Sequence, residues 1–317
     1  MDLAQMNERA RAPKVTIGVC VRNCASTLPC MIKSSMQQDF PHKFMEVIFV
    51  DDGSEDDTLN TVKGYANRMG MSVRIFHHEW KGLGPSRNVV VDNACGSYIV
   101  WVDADMTIPK DHVRKQVEFL QNNPDIGIGK ARCGLLPKEN LVATLEFLIF
   151  AVNDSRNCSL DRKPPGTGGS IYRVEAIRGV GGFDNDLIMG SEDTDAALRV
   201  KAAGWLLATS SAVFYEKGRQ TWQGLWNQYS WHGYAFFYLY RKKSARVLFS
   251  IYRINPIAGF LSGVLYVVDA YRITGNKAVF LLPFHFAFKM TAWFFGFSRA
   301  LQRSRSLRKA LGTRRNV

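Results

Sequence analysis

The sequence predicts an α/β fold with a mostly parallel sheet flanked by helices, followed by a hydrophobic helical membrane segment at the C-terminus. Strand-like and helix-like segments alternate between residues 14 and 130, which is typical of doubly wound sheets. Two apolar, β-rich runs stop at acidic residues, as expected of buried parallel strands whose carboxyl ends face a crevice. From residue 247 onward, two long apolar stretches replace this pattern.

The segments of the first half follow one another in a regular order. The second predicted helix opens with an acidic turn, which suits the helix dipole, and the third carries Pro in its first turn. From residue 131 to 220 the chain is less regular and rich in Gly, as in loops that shape a site. The predicted strands are Lys14–Val21, Glu46–Val50, Val73–His77 and Tyr98–Val102, and the predicted helices are Ala25–Gln38, Asp57–Met69 and Pro85–Ala94.

The apolar stretches, 247–268 and 278–298, are each long enough to cross a bilayer. Internal residues such as Arg253 and Lys289 make crossing costly, so a pair of buried helices is the alternative. Dense aromatic residues and basic flanks favour a membrane hairpin. Whether this hairpin spans the bilayer or dips in from one face stays open.

The net charge and the cysteine content restrict which binding partners and metal sites the sequence predicts. The net charge is +13 over 317 residues, and the last nineteen residues carry seven Lys or Arg and no acid. Because this tail directly follows an apolar stretch, an anionic membrane surface is the expected partner, and no nucleic acid is expected. The six cysteines form no CxxC pair, which favours reduced thiols over a zinc site. The polar N-terminus does not resemble a secretory signal, so we expect a cell-membrane protein whose globular domain faces the cytoplasm.

Three acidic segments carry the chemistry. Asp51 and Asp52 follow the second strand, Asp103 and Asp105 follow the fourth, and residues 192–195 read Glu-Asp-Thr-Asp. Carboxylates that face one crevice repel each other unless a cation lies among them. A divalent ion that carries a diphosphate is the natural candidate.

These segments occur in the order seen in family 2 inverting glycosyltransferases of the GT-A fold, which the chain resembles over residues 13 to 220. The resemblance implies a GT-A-like sheet, a nucleotide-sugar donor linked to UDP or GDP, and Mn²⁺ or Mg²⁺ as cofactor. The motifs that carry it are Thr16–Asn23, Val50–Ser54, Asp103–Asp105, Gly181–Asp184 and Glu192–Asp193.

The resemblance also assigns the donor site. It places the nucleotide against Val21, Asn23, Asp51 and Asp52, with the two aspartates on the base and the ribose. The alternative for Asp52 is a cap on the following turn. Arg87, near a helix start, would reach the diphosphate, and a surface salt bridge is its alternative.

Asp103 and Asp105 match the DxD element of the family, in which one carboxylate reaches the metal and the other reaches the sugar or ribose of the donor. The resemblance makes Asp105 the preferred metal ligand and assigns Asp103 to the donor nucleotide and to the metal. Alternate residues of an extended strand point to opposite faces, so both carboxylates share a site only if the chain turns after Val102.

Asp193 matches the general base that deprotonates the acceptor hydroxyl, and Glu192 would orient the acceptor or Asp193. For an acceptor that is already a phosphate, Asp193 would serve positioning only.

The remaining motifs are less specific. Asp195 is predicted to face solvent from the first turn of a helix. Gly168, Gly169 and Ser170 are expected to let the backbone approach the donor sugar or the acceptor, with a plain loop as the alternative.

Processive synthases of the family carry Gln-x-x-Arg-Trp, whereas this chain has Gln228–His232 without the arginine. Single-sugar transfer is therefore favoured. The predicted hairpin and basic tail suggest a lipid or lipid-linked acceptor at the cytoplasmic leaflet.

The predicted regions are a polar arm (1–13), a glycosyltransferase domain (14–220), an amphipathic interface helix (221–246), a membrane hairpin (247–298) and a basic cytoplasmic tail (299–317). Within the domain, 14–130 would bind the nucleotide and 131–220 the acceptor. A core position is the alternative for the interface helix. A nucleotidyltransferase is a second hypothesis, although the loop after the first strand lacks its usual Gly-rich sequence. A catalytically inert scaffold is the third, and the repelling carboxylates argue against it.

Overall fold

A computed structural model describes residues 15–134, 140–156, 166–188, 190–216, 218–242 and 255–313. The predicted arm 1–13, and residues 243–254 and 314–317 of the predicted C-terminal regions, lie outside the described residues. The chain divides into two compact units. Of the described residues, the first unit contains 15–134, 166–188 and 192–216, and the second contains 140–156, 190–191, 218–242 and 255–313.

The first unit is built on a mixed, mostly parallel sheet. Its strands are β1 Val15–Val21, β2 Met45–Asp52, β3 Ser72–His78, β4 Tyr98–Trp101, β5 Met106–Thr107, β6 Ile126–Cys133, β7 Ser170–Arg173 and β8 Leu206–Glu216. They lie in the order β3-β2-β1-β4-β7-β6-β8-β5. The first four are parallel, as predicted, while β7 pairs antiparallel with β4 and with β6. The α/β class and the predominantly parallel sheet are confirmed.

Helices cover both faces of this sheet. Alternate residues of β2 point to opposite sides, so Val47 and Phe49 enter one core cluster while Ile48 and Val50 enter another. The helices of both units, in chain order, are α1 Leu28–Met36, α2 Thr58–Ala66, α3 Leu83–Asn93, α4 His112–Asn122, α5 Leu141–Arg156, α6 Val174–Gly179, α7 Glu192–Ala202, α8 Trp222–Arg241, α9 Pro256–Thr274 and α10 Leu282–Thr313.

The second unit consists of α5, α8, α9 and α10 among its described residues. Pro256 is the first residue of α9, and the Asn255 side chain before it caps the backbone N–H groups of Ile257 and Ala258. Helix α10 runs through Arg299 without a break, so the predicted basic tail begins inside this helix. Pro256–Thr274 and Lys277–Ser306 are long and apolar enough to cross a membrane by length and composition.

Candidate functional site

Asp51 is buried at the carboxyl end of β2. Its Oδ2 atom lies 2.7 Å from Nδ1 of His77 on the neighbouring strand β3, and its Oδ1 atom accepts a hydrogen bond from the Ser54 hydroxyl. The parallel register that places Asp51 opposite His77 brings these two side chains together. The strand end is therefore an ordered, polar edge, at the place predicted for the nucleotide.

Asp52 holds the loop that follows β3. Its Oδ1 accepts hydrogen bonds from the backbone N–H groups of Lys81 at 2.8 Å and Gly82 at 3.2 Å. Its Oδ2 accepts a bond from Gly82 at 3.0 Å. Gly82 has φ of +95°, a conformation that glycine adopts readily. Asp52 thus shapes the loop that leads into α3, in addition to any contact with a ligand.

Val21 and Asn23 lie at the end of β1. The Val21 side chain is buried in a core cluster, so only its backbone is suited to meet a ligand. Asn23 is exposed with φ of +48°, and its Oδ1 accepts a hydrogen bond from the backbone N–H of Glu55 at 2.8 Å. Asn tolerates this left-handed conformation better than most residues. The bond joins the loops after β1 and β2 along one edge of the site.

The chain turns directly after Val102, as the DxD assignment requires. The backbone N–H of Met106 donates to the carbonyl of Asp103 at 3.0 Å, which closes a tight turn over Asp103–Met106. Both carboxylates, Asp103 and Asp105, belong to this turn, and each is partly exposed. A turn removes the strand alternation that would have separated them.

A glycine turn lies between the DxD carboxylate and the predicted base. A Cβ atom at Gly168 would overlap Oδ2 of Asp103, and a Cβ at Gly166 would lie 3.3 Å from Oδ2 of Asp193. Gly169, the next residue, has φ of +69° and packs on the Phe214 ring. Asp103 and Asp193, distant in sequence, therefore flank one short turn.

Lys130 on β6 holds this turn, and the sequence interpretation did not identify it. Its Nζ donates to the carbonyl of Gly166 at 3.2 Å and to the carbonyl of Gly168. Burial lowers the pKa of the Lys130 ammonium, and the nearby carboxylates of Asp103, Glu216 and Asp193 oppose this shift. A single basic residue in a strand gives no local signal. Only the pairing of β6 with β7 brings it to the site.

Ser170 completes the turn at the start of β7. Its hydroxyl donates to the carbonyl of Gly166 at 2.6 Å, and its backbone N–H donates to the carbonyl of Thr167 at 2.8 Å. The Ser170 side chain is fully buried. These bonds assign Ser170 a part in holding the turn, while the predicted contact with a sugar or acceptor stays a prediction.

Arg87 and Glu192 form a buried ion pair. The guanidinium lies 5.7 Å from the centroid of Phe183 and 6.0 Å from that of Trp101. Both charges are removed from water, so each depends on the other for compensation. The pair is buried rather than on the surface, and it fixes the first residue of α7 immediately before Asp193.

Asp195 was predicted to face solvent, and this prediction is wrong. The residue is buried, and its Oδ2 accepts a hydrogen bond from Nε of Arg199 at 2.7 Å, one turn along α7. Arg199 also donates to the carbonyls of Val180 and Gly182. Asp195 faces inward because this arginine crosses from α7 to the Gly181–Gly182 turn.

Cys20 lies on β1, the strand between β2 and β4. Burial raises the pKa of its thiol to about 12, partly offset by Arg87 and reinforced by Asp103 and Asp52. The thiol is therefore neutral and unreactive at physiological pH. Asp52, Arg87 and Asp103 are therefore all near enough to this thiol to influence its pKa.

The carboxylates of this site fit a divalent ion whose other ligands would come from a bound nucleotide-sugar. Among the residues described, no three His, Cys, Asp or Glu side chains form a complete metal cluster. Mg²⁺ sites in phosphate-transfer enzymes commonly use one or two carboxylates and complete the shell with substrate oxygens. Asp103 and Asp105 on one turn supply such a pair.

Two family profiles match this chain. The profile described as Glycosyl transferase family 2 matches residues 16–176, about half of the chain. The chain belongs to glycosyl transferase family 2. A second profile, Glycosyl transferase family group 2, matches residues 98–301.

Two curated relatives are similar over part of their length. The cholesterol galactosyltransferase of Borreliella burgdorferi is 36% identical over 166 residues, which cover 45% of this chain and 44% of the relative. The poly(ribitol-phosphate) beta-N-acetylglucosaminyltransferase TarS of Staphylococcus aureus is 31% identical over 110 residues, 35% of this chain and 19% of the relative. The chain thus spans less than half the length of either relative.

Solved structures confirm the GT-A fold. The mannosyltransferase PcManGT from Pyrobaculum calidifontis, in complex with GDP-Man and Mn²⁺, has a TM-score of 0.65 at 20% identity and covers 92% of this chain and 88% of that one. Residues 1–349 of S. aureus TarS have a TM-score of 0.51 at 16% identity, with 91% of both chains covered.

Proposed function

We propose that this chain is an inverting glycosyltransferase that moves a single sugar from a UDP- or GDP-linked donor to a lipid or lipid-linked acceptor at the cytoplasmic leaflet of the cell membrane. The observation that carries this proposal is the convergence of Asp103 and Asp193 on the Gly166–Ser170 turn, in a chain of family 2. A mannosyltransferase of similar fold binds GDP-Man with Mn²⁺, which supports a nucleotide-sugar donor. A relative named as a cholesterol galactosyltransferase supports a membrane acceptor.

Asp193 is the general base in this proposal. Its Oδ1 accepts a hydrogen bond from the backbone N–H of Thr194 at 2.6 Å, which fixes the carboxylate, and its Oδ2 faces Gly166. Oδ2 takes the proton of the acceptor hydroxyl while the oxygen attacks the anomeric carbon from the face opposite the nucleotide. That direction of attack inverts the configuration.

Asp103 and Asp105 are the residues that would hold Mn²⁺ or Mg²⁺. When bound, the ion would offset the negative charge of the departing nucleoside diphosphate. Asp51, Asp52 and the loops after β1 and β2 form the donor side. Arg87 holds Glu192 and thereby the start of α7, so we assign both a role in positioning Asp193.

Membrane attachment through α9 and α10 explains why the second unit exposes apolar side chains on these helices. Only 17% of the most apolar window of α9 is buried among the described residues. Ile257 and Leu265 expose 72% and 73% of their surface. Apolar patches of this kind mark membrane or protein contacts. The basic residues from Arg299 onward support a cytoplasmic position for that end of α10.

Turnover by the intact chain tests the assignment of the base. In nanodiscs, with nucleotide-sugars, Mn²⁺ and membrane lipid extract as acceptor, Asp193→Asn is expected to lower nucleoside diphosphate release about 10²- to 10⁴-fold. Binding of the nucleoside diphosphate, followed by thermal shift, should persist because Asp193 acts on the acceptor. The matched control is Asp92→Asn, which removes an exposed carboxylate of α3 and should behave as the wild type. Wild-type turnover by Asp193→Asn, or equal losses in both variants, would contradict the assignment.

A further inference from the structure

Helices α8 and α10 approach each other closely at two glycines. A Cβ atom at Gly233 would overlap the backbone carbonyl of Trp293, and one at Gly296 would overlap the carbonyl of Ser230. Small residues at a helix crossing allow the two backbones to come together. Beside the crossing lies a groove of about 310 Å³, which we call the arginine groove.

The walls of the arginine groove are aromatic, and one end is basic. Trp226 and Phe295 face each other with ring centroids 5.9 Å apart, and Trp231 and Phe295 expose 39% and 46% of their surface. Arg299 lies 5.7 Å from the centroid of Phe295. Phe295, Arg299 and Arg303 follow one another at intervals of four residues, so they lie on one face of α10.

The two arginines have no acidic partner among the described residues. Arg303 Nη1 donates to the hydroxyl of Tyr234 at 3.3 Å, and no ion pair joins either Arg299 or Arg303 to a carboxylate in that part of the chain. From residue 218 to 317 the sequence contains sixteen Lys or Arg and a single acid, Asp269. The groove therefore selects an anionic ligand, and its aromatic walls suit one that also carries apolar chain.

We propose that the arginine groove binds an anionic phospholipid, with the headgroup phosphate on Arg299 and Arg303 and the first part of an acyl chain on Trp226 and Phe295. Guanidinium groups bind phosphate through paired hydrogen bonds. Aromatic residues beside a basic helix end are typical of the headgroup level of a membrane. The groove is open and near the lower limit of ligand-site volume, which fits one headgroup better than a glycan-bearing acceptor. The inference rests on the membrane attachment proposed above.

Lipid binding is measured separately from sugar transfer, so failure of one does not imply failure of the other. The full chain is placed in nanodiscs of phosphatidylcholine with brominated phosphatidylglycerol, and quenching of tryptophan fluorescence is followed. The wild type should show quenching in excess of that by brominated phosphatidylcholine. Trp226→Phe with Trp231→Phe should remove this excess.

Charge variants test the phosphate contact. Arg299→Gln with Arg303→Gln should weaken phosphatidylglycerol binding about tenfold or more. Arg272→Gln with Arg305→Gln removes the same charge elsewhere in the second unit and should leave binding near the wild-type value. Arg299→Lys with Arg303→Lys keeps the charge and should give an intermediate loss, which preserves the test if the first pair fails to fold.

Three results would overturn the proposal. One is an equal loss in the Arg272/Arg305 control pair, which would indicate general attraction to the surface. Another is saturable binding of inorganic phosphate alone with the affinity of the lipid. The third is displacement of phosphatidylglycerol by a polyprenyl phosphate at equimolar amounts, which would make the groove an acceptor site.

Discussion

At the scale of single residues, Gly168 controls how closely the backbone approaches Asp103. A Cβ atom at this position would overlap Oδ2 of that carboxylate, and the turn is held in place by Lys130 and Ser170. The side chain of Met106 closes the same space, since a Cβ at Gly168 would lie 2.7 Å from its Cε. The lack of a side chain at Gly168 thus allows the turn to approach Asp103 this closely.

Substitution of this glycine should affect turnover more than stability. Gly168→Ala is expected to displace Asp103 and lower nucleoside diphosphate release about 10²-fold, because small displacements of catalytic groups have effects of that size. Gly64→Ala is the matched control, since no atom lies within 4 Å of its Cβ position on α2. It should keep full turnover and gain roughly 0.5–1 kcal/mol in free energy of unfolding. Equal turnover in both variants would show that the approach to Asp103 has no role.

At the scale of elements, a buried charged cluster joins α5 to α10. Oε1 of Glu146 lies 2.5 Å from Nε2 of His285 and 2.7 Å from Nζ of Lys289. Tyr229 of α8 contributes its ring, whose centroid lies 4.5 Å from Nζ of Lys289. The sequence of α10 gave no indication of this cluster, because Glu146, which pairs with His285 and Lys289, is more than a hundred residues away in the chain.

Removing the carboxylate from this cluster should destabilise the second unit strongly. Glu146→Gln leaves the buried ammonium of Lys289 without its counter-charge, which typically costs about 3–5 kcal/mol in free energy of unfolding. Glu175→Gln, on the exposed side of α6, should cost less than about 1 kcal/mol. Thermal unfolding in detergent at neutral pH measures both.

The same cluster predicts the direction of the pH dependence. Burial alone would raise the pKa of Glu146, but Lys289 and His285 lower it to about 2 from an ordinary value of 4.5. The stability from the ionised carboxylate is therefore complete above about pH 4.5 and is lost as the pH falls toward about 2. The difference in melting temperature between wild type and Glu146→Gln should shrink over that range. A constant difference would contradict the assignment of the shift to Glu146.

At the scale of the whole molecule, charge is divided unequally along the chain. Residues 218–317 have sixteen basic residues and one acid, a net charge of +15, whereas residues 1–217 have twenty-five basic residues and twenty-seven acids, a net charge of −2. A large positive charge beside exposed apolar helices favours binding to an anionic membrane surface. The acidic site residues belong to the first of these regions.

Membrane retention should depend on apolar contacts as well as on charge. The wild type is expected to stay in the membrane pellet in 1 M NaCl, because exposed charges are screened beyond roughly 3 Å at that ionic strength. Leu265→Glu places a charge on the apolar face of α9, at a cost of about 3 kcal/mol in membrane insertion. It should increase release on washing, whereas Leu206→Glu, at an exposed leucine of β8, should not. Quantitative immunoblotting of pellet and supernatant measures this, and release of the wild type by salt alone would refute it.

Local sequence patterns were enough to predict the α/β class, the parallel first four strands and the acidic residues at the ends of β2 and β4. Apolar runs, turn residues and their order are local properties, so they can be recognised without a structure. Three features became visible in the three-dimensional fold: the antiparallel insertion of β7, the contact of Lys130 with the glycine turn, and the burial of Asp195. The fold also pairs Arg87 with Glu192, which are separated by 105 positions. Such contacts depend on how the strands are ordered in space, and no local pattern encodes that order.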